Sequence, residues 1–372
     1  YYMSRYVAPK FDKRFKGMLS AGDIIKYFYG EKASKIASAI GFLAGSLTVG
    51  SQITGLGYLL ENIVQIKYSV AVLGVGGVLT IYCASGGIRA VTITDTIQAF
   101  IMIIVIPIFA FIIISKAGGA NTVIMNAGDN FYHVFTFQNL QKYGLYFIAS
   151  FMPFLWLFPP IIQRYLMATQ SSQIAKMYRL EFVVRVVLYT LLALVAASAI
   201  SFGYGAKPDI ALSKLILNHL PITLGVFLVI AIISASMSTA DSHLNSSAIL
   251  LIHNVFDNII VGDKNKLFAM RISTFLLGLI ATFVAMQKIE IVSLVIFSFA
   301  LSGSVIGIPL FFGVMGMNVH QRNFYGCLIF SSIAIIVSLF MLELNWINSA
   351  SITVFAGLFG FFVGNGRLPF TR

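Results

Sequence analysis

The densest polar group in this otherwise apolar sequence is Ser234-Ala235-Ser236-Met237-Ser238-Thr239-Ala240-Asp241-Ser242-His243-Leu244-Asn245-Ser246-Ser247. Ser234, Ser238, Asp241 and Asn245 recur at i, i+4, i+7 and i+11, which aligns them along one face of a helix. Thr239, Ser242 and Ser246 form an adjoining stripe. Hydroxyl, carboxylate and carbonyl oxygens are the ligands that a hard cation such as sodium prefers. Small hydroxyl residues also let helices approach closely and bond across an interface. The serines alone leave both readings open; the carboxylate of Asp241 favours a polar pathway.

Asp95 is the second acid of interest. It follows Gly86-Gly87-Ile88-Arg89-Ala90-Val91-Thr92-Ile93-Thr94 and opens an apolar run. There a carboxylate can complement a helix dipole, or it can belong to the same polar path. Pro159 and Pro160 stand at the end of another run, after Trp156-Leu157-Phe158. A proline removes a backbone donor, and interrupted helices build midplane sites in some membrane proteins; the pair equally suits an ordinary helix end. Gln52 is a bulky amide amid Ser46, Thr48, Ser51, Thr54 and five glycines, where small residues otherwise suggest a tightly packed or cavity-lining helix. Enzymatic readings find little support. The sequence holds no Walker loop, no HExxH and no CxxC, and its five histidines lie in separate segments without ligand-pair spacing. Cys83 and Cys327 lie in apolar stretches and read as packing residues.

The elements that must position these residues follow from composition. Hydrophobic residues make up 58% of the 372 and charged residues 10%, against about 25% charged in a soluble domain. With a mean hydropathy of +0.90, the chain suits a bilayer, where a spanning helix needs roughly 20 apolar residues. Ten apolar runs can be marked: 35–60, 68–84, 90–115, 143–160, 180–203, 221–252, 267–287, 290–315, 323–342 and 345–365. Lipid offers no hydrogen-bond partners, so runs of this length imply helices. The expected fold class is an all-α polytopic membrane protein of about ten transmembrane helices. The net charge of +12 does not point to nucleic acid, because the cations sit in connections between runs. Only Lys67, Lys116, Lys142, Lys207, Lys214 and Lys288 fall on one side, and every Arg falls on the other. The Arg-rich side, with both termini and a loop at Arg89, is therefore expected to be cytoplasmic. Residues 1–33 read as a cytoplasmic basic amphipathic segment suited to a membrane surface, residues 34–366 as the transmembrane domain, and 367–372 as a tail. No pattern specifies an oligomeric state.

Several stretches together resemble the sodium/solute symporter family, which includes proline, pantothenate, sialic acid and sugar symporters. Gly86-Gly87-Ile88-Arg89-Ala90-Val91 with Thr94-Asp95-Thr96-Ile97-Gln98 is similar to its GG-x-x-AV-x-x-TD-x-x-Q stretch. Met237-Ser238-Thr239-Ala240-Asp241-Ser242 resembles its MSTADS-type stretch, and Gln163-Arg164-Tyr165-Leu166-Met167-Ala168 its QR-x-x-A loop. Ser51-Gln52 with Gly55, Gly57 and Glu61 resembles its third core helix. The resemblance implies a five-plus-five inverted-repeat fold, here partial, whose half-bundles rock around a midplane site. It implies sodium as coupling ion, no organic cofactor, and a small organic solute as partner, carried across a bacterial plasma membrane. The carbonyl of Ala235 and the hydroxyls of Ser238 and Thr239 would form one wall of the sodium site. Asp95 and Ser242 would line its exit path or a second site, and Asp241 joins them as a further candidate. Gln52, Trp156, Phe158, Pro159 and Pro160 would face solute. Met18-Leu19-Ser20-Ala21-Gly22-Asp23 resembles the loop after the second core helix, so the helices before it are expected to lie outside this sequence. A transporter-like sensory domain and a non-transporting remnant are the alternatives.

Overall fold

A computed structural model describes residues 3–11, 13–126, 157–205, 208–341 and 346–364. The main helices are α1 (Ala21–Tyr29), α2 (Glu31–Val64), α3 (Tyr68–Lys116), α4 (Ala120–Asn126), α5 (Pro159–Met167) and α6 (Ser171–Ser201). They continue with α7 (Pro208–His219), α8 (Ile222–Ile249), α9 (Asp263–Met286), α10 (Ile291–Ser302), α11 (Ile308–Met315), α12 (Gln321–Ile336) and α13 (Trp346–Gly364). No strand occurs among the described residues. Eight described segments are long and apolar enough to cross a membrane, and Asn348–Gly364 is a shorter apolar helix. They correspond to nine of the ten expected runs; of the remaining one, residues 143–156 lie outside the described residues, as does the tail from 365. Phe182, Val183 and Val186 on α6 and Phe268, Leu279 and Phe283 on α9 face outward. That much exposed apolar surface suits lipid rather than water.

The expected loop at Arg89 is replaced by helix: α3 runs unbroken over 49 residues. Straight, it would be about 74 Å long, more than twice the roughly 30 Å core of a bilayer. It is not straight. Twelve residues along a straight helix span about 18 Å, yet the Tyr82 hydroxyl donates to Thr94 Oγ1 at 2.9 Å. The helix must fold back between them, around Ser85-Gly86-Gly87, the kind of stretch at which helices kink. Its two arms pack in different places. Val72 and Leu79 of the first arm meet Leu277 and Ala281 of α9, whereas Phe109, Ala110 and Ile113 of the second meet Val195 and Ala199 of α6 and Leu228 of α8.

The N-terminal segment buries part of its apolar face on protein. Val7, Ala8, Phe11 and Phe15 are buried in the largest apolar cluster, and the Phe11 ring meets that of Tyr165 on α5 at 5.1 Å. Ser20 then opens α1 with a capping box, its hydroxyl accepting from the Asp23 N–H while the Asp23 carboxylate accepts from the Ser20 N–H. The same carboxylate accepts from the Leu19 N–H (2.8 Å) and from Asn254 Nδ2 (2.8 Å), and it pairs with His253 Nε2 at 3.1 Å. His253 and Asn254 lie in the π turn Leu250–Val255 that extends α8, so Asp23 fastens α1 to the end of α8. Burial alone would raise the Asp23 carboxyl, but the hydrogen bond and charge of His253 and the Leu19 and Asn254 donors hold it below its ordinary value. At the other end of the chain α12 and α13 cross at Gly326 and Gly360, where a Cβ on either would collide with the other's backbone.

Candidate functional site

The polar stripe of α8 is helical, as its spacing predicts, and its members part company in what they touch. Ser238 and Ser242, one turn apart, both reach Asp95 on the second arm of α3. The Ser238 hydroxyl donates to Asp95 Oδ1 at 2.5 Å and that of Ser242 lies 3.5 Å from Oδ2. Asn245, further along, donates to Gln163 Oε1 at 3.4 Å. The Thr239 hydroxyl bonds back to the Ala235 carbonyl at 3.2 Å, within the helix. Asp241 turns inward: it is completely buried, near Tyr82 and Cys83 of the first α3 arm. Neither of its carboxylate oxygens has a hydrogen-bond partner. A buried carboxylate without donors is costly, and its closest charged neighbours are Asp95 and Arg164.

Asp95 sits mid-helix in α3, so the reading in which it complements a helix start does not apply. Its strongest partner was not among the expected site residues. Arg164 NH2 lies 2.6 Å from Asp95 Oδ2 and 2.9 Å from Ser242 Oγ. The sequence presents Arg164 only as a cation of a QR pair, 69 positions from Asp95; no local spacing joins them. Two carboxylates and one guanidinium thus share a region that the Ser238 and Ser242 hydroxyls border. Beside it, between α3, α5, α6 and α8, opens a cavity of about 620 Å³ lined by Asp95, Arg164, Gln163, Ser242, Asn245 and apolar side chains such as Phe100 and Ile103.

Of the residues expected to face solute, Trp156 lies outside the described residues. Pro159 and Pro160 open α5 in its first turn, after an extended Phe158, where a missing N–H costs nothing and the fixed φ suits a helix. Pro160 lines the 620 Å³ cavity. The Phe158 ring stacks on His243 (5.8 Å) and Phe299 (5.3 Å). Gln52 is half-buried and donates to Ser51 Oγ at 3.3 Å. Pro159 meets α2 at Gly41, and the eleven residues from Gly41 to Gln52 span about 16 Å of helix. Gln52 therefore stands at another level of the bundle from the proline pair.

Comparison with known proteins agrees with this architecture. The Sodium:solute symporter family model matches residues 3–345. The high-affinity proline transporter PutP of Bacillus subtilis is 26% identical over 81% of this chain and 67% of its own length. A sodium/proline symporter of Haemophilus influenzae is 27% identical over 69% of this chain and 54% of its own. A sodium/pantothenate symporter of the same organism is 26% identical over 93% and 74%. The chain thus spans about half to three quarters of the length of these relatives. Among solved structures, a Na+-coupled sialic acid symporter in a substrate-bound outward-open state superposes with a TM-score of 0.77 at 15% identity, covering 99% of this chain and 81% of that one. The chain belongs to the sodium:solute symporter family and carries its all-helical membrane fold.

Proposed function

We propose that the protein is a sodium-coupled symporter, which uses the sodium gradient to carry a small organic solute across the bacterial plasma membrane by alternating access. The observation that carries this reading is the convergence of Asp95 from the second arm of α3 with Ser238, Asp241 and Ser242 of α8. Sodium travels here as a co-substrate. The chemistry of the donor set fits it: Asp95 and Asp241 supply carboxylate oxygens, Ser238 and Ser242 hydroxyls, and the Asp241 oxygens have no other partner. Ala235 and Thr239, on the neighbouring stripe of α8, supply a carbonyl and a hydroxyl for the wall of the sodium site; Gln52 and Phe158–Pro160 face the solute path.

Arg164 gives the sodium-free state a counter-ion. With sodium absent, the guanidinium balances Asp95, which an apolar surrounding would otherwise penalise. A sodium ion at Asp95 competes for the same oxygens, so occupancy of the site changes which partners join α3, α5 and α8. That is the coupling a carrier requires, since a ligand shifts a conformational equilibrium only by its differential affinity for the states.

Sodium-driven uptake of labelled solute into proteoliposomes tests the assignment. Substituting Ser238→Ala removes one oxygen ligand and is expected to raise the sodium concentration for half-maximal uptake by about tenfold, on the order of 1.4 kcal/mol. Unchanged sodium activation in that variant would overturn the site assignment. Flux that responds to pH and ignores sodium would overturn the choice of coupling ion.

A further inference from the structure

Arg164 has more donors than its partners use. NH2 is committed to Asp95 and Ser242, but Nε and NH1 meet no acceptor among the described residues, and the side chain is 47% exposed. It lines the 620 Å³ cavity, a size that suits a small molecule. Nε and NH1 point to different edges, and each two-pronged edge includes NH2; once NH2 leaves Asp95, such an edge matches a carboxylate bidentately, as a lysine would not. The amide of Gln163 stands beside it, since Gln163 uses its Oε1 to accept from Asn245 and keeps its Nε2 as a donor. The remaining wall is apolar, with Phe100, Ile103, Met177 and Leu180. Such a site takes a molecule with one anionic end and an apolar body.

Charge sets the order of events. One guanidinium faces two carboxylates, Asp95 and Asp241, so the site has no surplus positive charge with which to attract an anion. A sodium ion at Asp95 adds that charge and takes over the oxygens that hold Arg164. We propose that this cavity is a solute site for a small organic carboxylate clasped by Arg164, and that sodium bound at Asp95 frees Arg164 to take it. The inference rests on the sodium reading above and adds the chemical class of solute and the residue that links the two ligands.

The test uses the purified protein in detergent, matched probes and thermal melting. Pantothenate and panthenol differ in a carboxylate against an alcohol; L-proline and L-prolinamide differ in a carboxylate against an amide. In wild type, sodium is expected to raise the melting temperature. With sodium present, a carboxylate member of the panel raises it further, while its uncharged-end partner and the potassium control do not. Arg164→Gln is expected to respond to sodium at several-fold lower concentration, because the competing cation is gone, and to lose the carboxylate shift. Arg164→Lys keeps a weakened carboxylate shift. A carboxylate shift that persists in Arg164→Gln, a neutral analogue as effective as the acid, or a sodium shift in wild type with no response to either carboxylate would each overturn the proposal. Absence of any sodium shift in wild type would overturn the sodium reading as well, which separates the two failures.

Discussion

Asp23 and Asp95 both lie against α8, one beside its terminal π turn and one beside its middle, and the protein treats the two carboxylates in opposite ways. Asp23 is met by the Leu19 and Ser20 N–H groups, by Asn254 and by His253. Asn254 is itself fixed by the Ser20 hydroxyl at 2.7 Å. Every lone pair that matters has a donor, and every donor comes from a side chain or backbone held in place. Asp95 has one hydroxyl at 2.5 Å, a second at 3.5 Å and one half-exposed guanidinium, next to a second carboxylate that makes no well-formed hydrogen bond. A closed network fixes two helices to each other. An open one, with more acceptors than donors, leaves oxygens that a further cation can use. The contrast separates a structural carboxylate from the one proposed to bind a ligand, on two helices packed against the same α8.

Substitutions can break this contrast or sharpen it, and the largest effect is expected at Asp241. Asp241→Asn replaces a buried carboxyl that lacks a well-formed hydrogen bond by an amide of the same shape, so the melting temperature should stay level or rise. The sodium needed for half-maximal uptake should increase roughly 30-fold, given about 2 kcal/mol for a lost charged ligand. Asp23→Asn is the mirror image: it should destabilise the fold by about 1–2 kcal/mol, read as a lower melting temperature, with sodium half-activation unchanged. If both variants shifted sodium activation alike, the distinction would be wrong.

Acid sharpens the comparison further. The folded Asp23 carboxyl lies below its ordinary value, so its stabilisation is fully present above the unfolded value near 4 and is lost as pH falls through the lower, folded one. The gap in melting temperature between wild type and Asp23→Asn should be present above about pH 4 and close as the pH falls below it. Smallest is Tyr82→Phe, which deletes the hydroxyl bridging the α3 elbow. A cost of about 0.5–1 kcal/mol is expected in melting experiments, with no change in sodium activation.

How much of this was legible in the sequence depended on distance along the chain. The α8 stripe could be read because its residues are one helical turn apart, but the periodicity said nothing of which neighbour each would meet. The apolar runs marked the spans because the bilayer imposes a length. The α3 elbow was legible in its place and not in its form: Gly86-Gly87 with Arg89 marked a turn between two runs, and the chain makes that turn within a continuous helix. Arg164 with Asp95, and Asp23 with His253 and Asn254, join positions 69 and more than 200 residues apart. No local pattern carries such pairings; the packing of α3, α5 and α8 creates the first and the docking of α1 the second.

Equilibrium binding of radioactive sodium to the purified protein and its Asp95→Asn variant tests the central claim most directly. The account predicts saturable sodium binding to wild type and its loss in Asp95→Asn, while Asp23→Asn binds as wild type does. A wild-type isotherm in Asp95→Asn would contradict it, and would place the coupling ion somewhere other than the meeting point of α3 and α8.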